Sequence, residues 1–248
     1  MRKRASPSTH AALDAAQDFA DVRDRDGLWT SLNAHLAGFG ITGSLYGTDA
    51  FPERDKEACL IINSIQGGWL AEKIDQDLFY CDQYVSVARF QPSPVLWSDT
   101  TLLSDLSPAA RASVELDFDH GILAGVTIPM RFAGGLGGSS IGCHAAGTSF
   151  AEFDAMWHAH GRTISAIVHA FDTALRERFA ADIFPLDEAE RSCLEYLATG
   201  SRIKQIAHGM RRTERQIRSL LAGAIHKLRA ASPEQAIATA LIFGLITP

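Results

Sequence analysis

Apolar residues recur at helical spacing over residues 11–22 and again over 28–36, and the second run stops at Gly38 and Gly40. Two compact, partly β-branched runs follow at 41–46 and 58–63, separated by a Gly/Asp/Pro loop, which is the pattern of neighbouring strands. Residues 69–74 and 79–90 read as short helices, the second closed by Pro92 and Pro94. Ser107 before Pro108 opens another helix, ended by Gly121. Strands at 125–130 and 139–145 then flank a glycine hairpin, Gly134-Gly135-Leu136-Gly137-Gly138. A long apolar stripe over 148–179, carried by Phe150, Phe153, Trp157, Ile164 and Phe171, predicts one long helix with a bend near Gly161. This order predicts an α+β domain over 1–179, an α/β/α sandwich around a central antiparallel sheet. A linker at 180–185 leads to an all-α head over 186–248, with helices at 187–198, 202–208, 213–228 and 233–243.

The third helix of the head carries two stripes. Thr213 can cap its start, and Gln216, three residues on, can bond back to the cap. Ile217, Leu221, Ala224 and Leu228 recur on the side that faces a core. Arg215, Gln216, Arg218 and Ser219 lie opposite, where a recognition helix holds side chains for phosphates and base edges.

Charge sharpens that division. The whole chain has a formal net charge of -6. Residues 202–229 hold eight basic residues against one acid, Glu214, a local charge of +7 that leaves -13 for the remainder. Such a chain does not coat nucleic acid or anionic membrane along its length; it suits an acidic sensor joined to a small basic head. A hydrophobic content of 46% supplies real cores, and no apolar run reaches the length of a membrane span. Cys59, Cys81, Cys143 and Cys193 lack CxxC spacing and read as reduced thiols of a cytoplasmic protein. Cys143 and His144 are adjacent in a strand and so point to opposite faces, which argues against a nucleophile and its base. The glycine run joins two strands and opens no helix, unlike a phosphate-cradling loop. With no paired carboxylates, metal-ligand cluster or nucleophile elbow, an enzyme is not expected, nor is a cofactor.

Leu186, Glu190, Leu194, Gly200, Ile206-Ala207, Ile217, Leu221, Lys227-Leu228 and the ending Ala240-Leu241 to Ile246 resemble, without gaps, the LuxR-type helix-turn-helix. The resemblance implies that 202–208 supports and 213–228 enters the major groove, with Lys204 near phosphate and Arg218 at the family's usual basic position. It further implies a homodimer whose two heads read an inverted repeat in double-stranded DNA. This chain departs in the turn, where Arg211-Arg212 places a side chain at a position suited to positive φ, and at Leu220, where the family often has a polar residue.

The first domain resembles the same family's autoinducer-binding domain. Trp69, Asp82, Trp97 and Gly125 fall at the intervals where that family keeps Trp, Asp, Trp and Gly. The resemblance implies an N-acyl homoserine lactone ligand: Trp69 donates to the lactone carbonyl, Asp82 accepts from the ligand amide, and Trp97 walls the pocket. Ile65 and Lys73 stand where the family usually has tyrosines, and Asp82 precedes Gln83 where it has proline. Two readings of the pocket follow: a variant site for a lactone or other small amphiphile, or a site closed by its own side chains, marked by a Lys73–Asp82 pair. For the whole protein, the reading is a LuxR-type quorum-sensing transcription regulator. The alternative is a degenerate member that acts by pairing with another regulator.

Overall fold

In the computed structural model, which describes residues 10–50 and 60–248, α1 (Ala11–Asp21) and α2 (Arg25–Ala37) meet at Asp24. Its carboxylate accepts from the Gly27 amide at 2.7 Å and starts the second helix. Cys59, the basic start of the chain and the first two residues of the strand expected at 58–63 lie outside the described residues. A five-stranded antiparallel sheet follows, β1 (Gly43–Asp49), β2 (Leu60–Asn63), β3 (Val95–Leu96), β4 (Gly125–Phe132) and β5 (Gly137–His144), in the order β2-β1-β5-β4-β3. The first strand runs three residues past the expected end because its pairing with β5 continues to Asp49 opposite Gly138. The two-residue β3 was not foreseen; it is too short to show a period.

Alternation along the strands sorts the two helical layers. Ser44 and Tyr46 point to one face, where their hydroxyls donate to Asn33 on α2 and to Asp172 on α6 (Phe150–Ile183) at 2.7 and 2.8 Å. Leu45, Gly47 and Asp49 point to the other face, covered by α3 (Trp69–Asp75), α4 (Gln83–Ala88) and α5 (Pro108–Asp119). On that face β5 lines the space beneath the helices with Gly138, Ser140 and Gly142, small residues that leave room there. This is the expected α/β/α sandwich.

Three local expectations need correction. Residues 79–90 are not one helix: a 3-10 turn, Phe79–Cys81, ends at Asp82, which turns extended and caps α4 by accepting from the amides of Tyr84 and Val85. The long helix leaves helical geometry at Phe179 and not at Gly161, whose missing Cβ makes room for the Trp157 ring. Most of the expected linker at 180–185 is helical, because Ala180 and Ala181 favour helix and the first breaker is Pro185.

The chain divides into two compact units inside α6, between Ala174 and Leu175. The second contains α7 (Glu188–Ala198), α8 (Ile203–Gly209), α9 (Glu214–Lys227) and α10 (Pro233–Ile242), each within two residues of its expected bounds. Cys193, Leu194, Ile206, Ile217, Leu221, Ala224, Leu228, Ala236 and Ala240 form its core. The buried Glu190 carboxylate is satisfied twice, by the Asp187 amide at 2.9 Å and by Lys227 Nζ at 2.7 Å. No helix among the described residues is long and apolar enough to cross a membrane.

Candidate functional site

A cavity of about 100 Å³ lies between the sheet and α3–α5. Ile65, Trp69, Asp82 and Trp97 all line it, with Phe79, Tyr84, Asp117, Phe118, Ile122 and Thr127. Gly125 lies beneath it; a Cβ there would strike the Trp97 ring, so the glycine lets that ring lie flat on the sheet. Lys73 sits one helical turn beyond Trp69 and is fully buried outside the cavity wall. The six candidate ligand residues therefore gather at one place.

Their hydrogen bonds are already made within the chain. Lys73 Nζ donates to Asp82 Oδ2 at 2.8 Å and to both oxygens of Asp117 at 2.7 and 3.0 Å. The Trp69 indole donates to Asp117 Oδ1 at 2.7 Å. Trp97 Nε1 donates to Thr127 Oγ1 at 2.9 Å, and the Tyr84 ring stacks on Trp97 with centroids 5.2 Å apart. The other oxygen of Asp82 is held by the cap of α4. Burial pulls the Lys73 ammonium down, but Asp82 and Asp117 overcome that and hold its pKa above the ordinary lysine value. Burial and the neighbouring Asp82 push the Asp117 carboxyl up to about 6, against the lowering effect of Lys73 and Trp69.

Asp117 is the residue that sequence reasoning missed. Its signal lay in α5, where Ala110, Ser113, Val114 and Asp117 fall on one buried stripe. A carboxylate on the apolar face of a helix requires a buried partner. Elsewhere in this domain, burial pushes the Cys143 thiol up to about 12, far from the range of a reactive thiolate.

In the head, α9 begins as its sequence specifies. Thr213 Oγ1 accepts from the Gln216 amide, and Gln216 Oε1 accepts from the Thr213 amide at 2.9 Å. The Gln216 side-chain oxygen is thus committed to the cap. Arg215, Arg218 and Ser219 are exposed on α9, as are Lys204 on α8 and Arg211 and Arg212 in the turn between them. Arg211 adopts a φ of 52°, the left-handed conformation anticipated for that turn. Leu220 is half-buried. Lys227, counted among the basic residues of the head, is neutralised by Glu190.

Residues 24–175 match the autoinducer binding domain, and the chain belongs to that family. No curated protein sequence matches it. Among solved structures, Escherichia coli SdiA is similar at 14% identity with a TM-score of 0.60, over 96% of this chain and 98% of that one. SdiA in complex with octanoyl-rac-glycerol gives 14% identity and a TM-score of 0.61 over 96% of each chain. CepR2 of Burkholderia cenocepacia, an N-acylhomoserine lactone dependent LuxR family transcription factor, is 14% identical with a TM-score of 0.54, over 68% of this chain and 96% of that one. The fold is that of LuxR-type quorum-sensing regulators.

Proposed function

We propose that the chain is a cytoplasmic, homodimeric transcription regulator of the LuxR type, which binds an inverted repeat in double-stranded DNA through α9. The observation that carries this reading is the capped α9, packed on α7 and α8 and presenting Arg215 and Arg218 to solvent, in a chain that belongs to the autoinducer-binding family. Lys204, Arg211, Arg212 and Thr213 border the same helix and supply phosphate contacts, while Arg215, Gln216 through its amide nitrogen, Arg218 and Ser219 face the bases.

Mobility shift on genomic fragments at several salt concentrations tests the reading. A regulator selects some fragments over others at every salt. Binding that falls steeply with salt and shows no fragment preference would instead make the chain an interaction protein that pairs with another regulator.

A second statement concerns the sensor. Trp69 and Asp82, the residues the family resemblance assigns to the lactone head, are engaged by Asp117 and Lys73. An arriving lactone carbonyl would have to displace Asp117 from Trp69, and a ligand amide would compete with a charge-assisted bond from Lys73. The Lys73–Asp82 pair that would mark a site closed by its own side chains is formed, but a cavity of about 100 Å³ stays open beside it, so the pocket serves a small amphiphile without a lactone head. Calorimetry of the full chain against a panel of acyl homoserine lactones is expected to show no heat, and binding at micromolar concentration would overturn this assignment.

A further inference from the structure

Taking the cavity as the sensing pocket of this regulator, we infer that its ligand is an organic cation: an apolar amine whose protonated head lies against Asp82 and Asp117 and whose body fills the aromatic part of the cavity.

The inference begins with a count of donors and acceptors. Lys73 spends all three of its N–H groups on Asp82 and Asp117, and Trp69, Trp97 and Tyr84 each spend theirs on Asp117, Thr127 and the Trp97 carbonyl. The Thr127 hydroxyl accepts from Trp97 and keeps a hydrogen to give. The acceptors are in surplus. Asp82 Oδ2 and Asp117 Oδ2 each accept one bond, both from Lys73, and each carboxylate oxygen has room for another. Both carboxylates line the cavity, whereas the ammonium that pairs them does not. A ligand head that fits must donate.

Charge points the same way. One buried ammonium stands against two carboxylates, leaving a net negative charge at the cavity wall. Burial is the first cause of the upward shift of Asp117 to about 6, and the neighbouring Asp82 charge adds to it. The other ionic groups on the lining do not change that balance. Arg89 lies at the far end of α4 from Asp82, about 10 Å along the helix axis. Arg131 and Asp49 flank Gly138 on adjoining strands, four residues along β4 from Thr127.

The walls suit a cation as well. Trp69, Phe79, Tyr84, Trp97 and Phe118 surround the space, and aromatic faces attract ammonium groups most strongly where water is excluded. Lys73 Nζ already lies 4.9 Å from the Trp69 ring centre. Phe118 and Leu123 line the cavity and are also solvent-exposed, which gives an apolar body a way in.

The test is calorimetry and thermal shift of the full chain at neutral pH with four probes of one chain length: octylammonium, 1-octanol, octanoate and N-octanoyl homoserine lactone. Octylammonium is expected to bind about tenfold more tightly than 1-octanol, the difference between a charge-assisted and a neutral hydrogen bond, with octanoate weakest. In Asp117→Asn that preference should shrink to less than about threefold. The wild-type series decides the matter even if the variant fails to fold. Equal or tighter binding of 1-octanol or the lactone overturns the cation assignment and leaves the sensing pocket standing. Absence of heat and of thermal shift with all four probes overturns both.

Discussion

Lys73 in the first domain has no exposure to solvent and is surrounded by two carboxylates and an indole, whereas Arg215 and Arg218 in the head stand in water, with Glu214 3.9 Å from Arg218. The two halves of the chain put cations to opposite uses. A buried ion pair is held in place by the cost of leaving either partner alone, so it fixes geometry. An exposed cation contributes almost nothing to folding and remains free to meet phosphate. In the head, Lys227, 32% exposed, pairs with the buried Glu190 and joins α9 to α7 behind the exposed basic stripe.

The largest effect that would break this comparison comes from Lys73→Met. It leaves Asp82 and Asp117 facing each other without a cation, and the expected loss is about 3–5 kcal/mol of stability in urea unfolding. Arg215→Ala, by the same measurement, should stay within about 0.5 kcal/mol of wild type. A Lys73 variant as stable as the Arg215 variant would show that the buried pair does not organise the pocket.

The same contrast explains what could be read from sequence. Each capping box of the head joins residues three apart, Thr213 with Gln216 and Asp187 with Glu190, and the stripe at Ile217, Leu221 and Ala224 is helical spacing alone. Such signals are complete within a few residues. The bond that defines the pocket, Trp69 to Asp117, spans 48 positions, and nothing local to Trp69 announces it. The Lys73–Asp82 pair, nine positions apart, was foreseen because both residues sit at family positions within one short stretch. The mistaken bend at Gly161 has a related cause. A glycine in a helix signals either flexibility or a close neighbour, and only the tertiary placement of Trp157 decides between them.

Acidity offers a sharper probe of the buried side. The Asp117 carboxyl titrates at about 6 when folded, against 3.8 for the ordinary side chain. Between those values the folded chain binds more protons than the unfolded one, so this group's contribution to stability rises as pH falls from 6 to 3.8. Most carboxylates behave in the opposite sense. Urea melts across this range should show that Asp117→Asn loses stability more steeply on acidification than wild type does; parallel pH profiles would mean that the carboxyl titrates normally. Arg218→Ala probes the exposed side. It should leave the melt unchanged while costing about 1–3 kcal/mol of the preference for the best-bound DNA fragment over the others, and an unchanged preference would remove Arg218 from the base contact.

The smallest effect falls at Arg211, where the two uses of charge meet a backbone constraint. A side chain at φ 52° crowds its own carbonyl, at a cost of roughly 1–2 kcal/mol relative to the right-handed region, and glycine avoids that cost. Glycine also has more freedom to lose on folding, which takes back about 0.4–1 kcal/mol. Arg211→Gly should therefore raise the stability of the head by up to about 1.5 kcal/mol. It also removes an exposed cation from the turn before α9, so the same variant should bind DNA more weakly at low salt and with a slope lower by about one unit. A variant that gains stability and keeps its full salt slope would mean that Arg211 does not touch phosphate, and that the left-handed turn is strain without a return in binding.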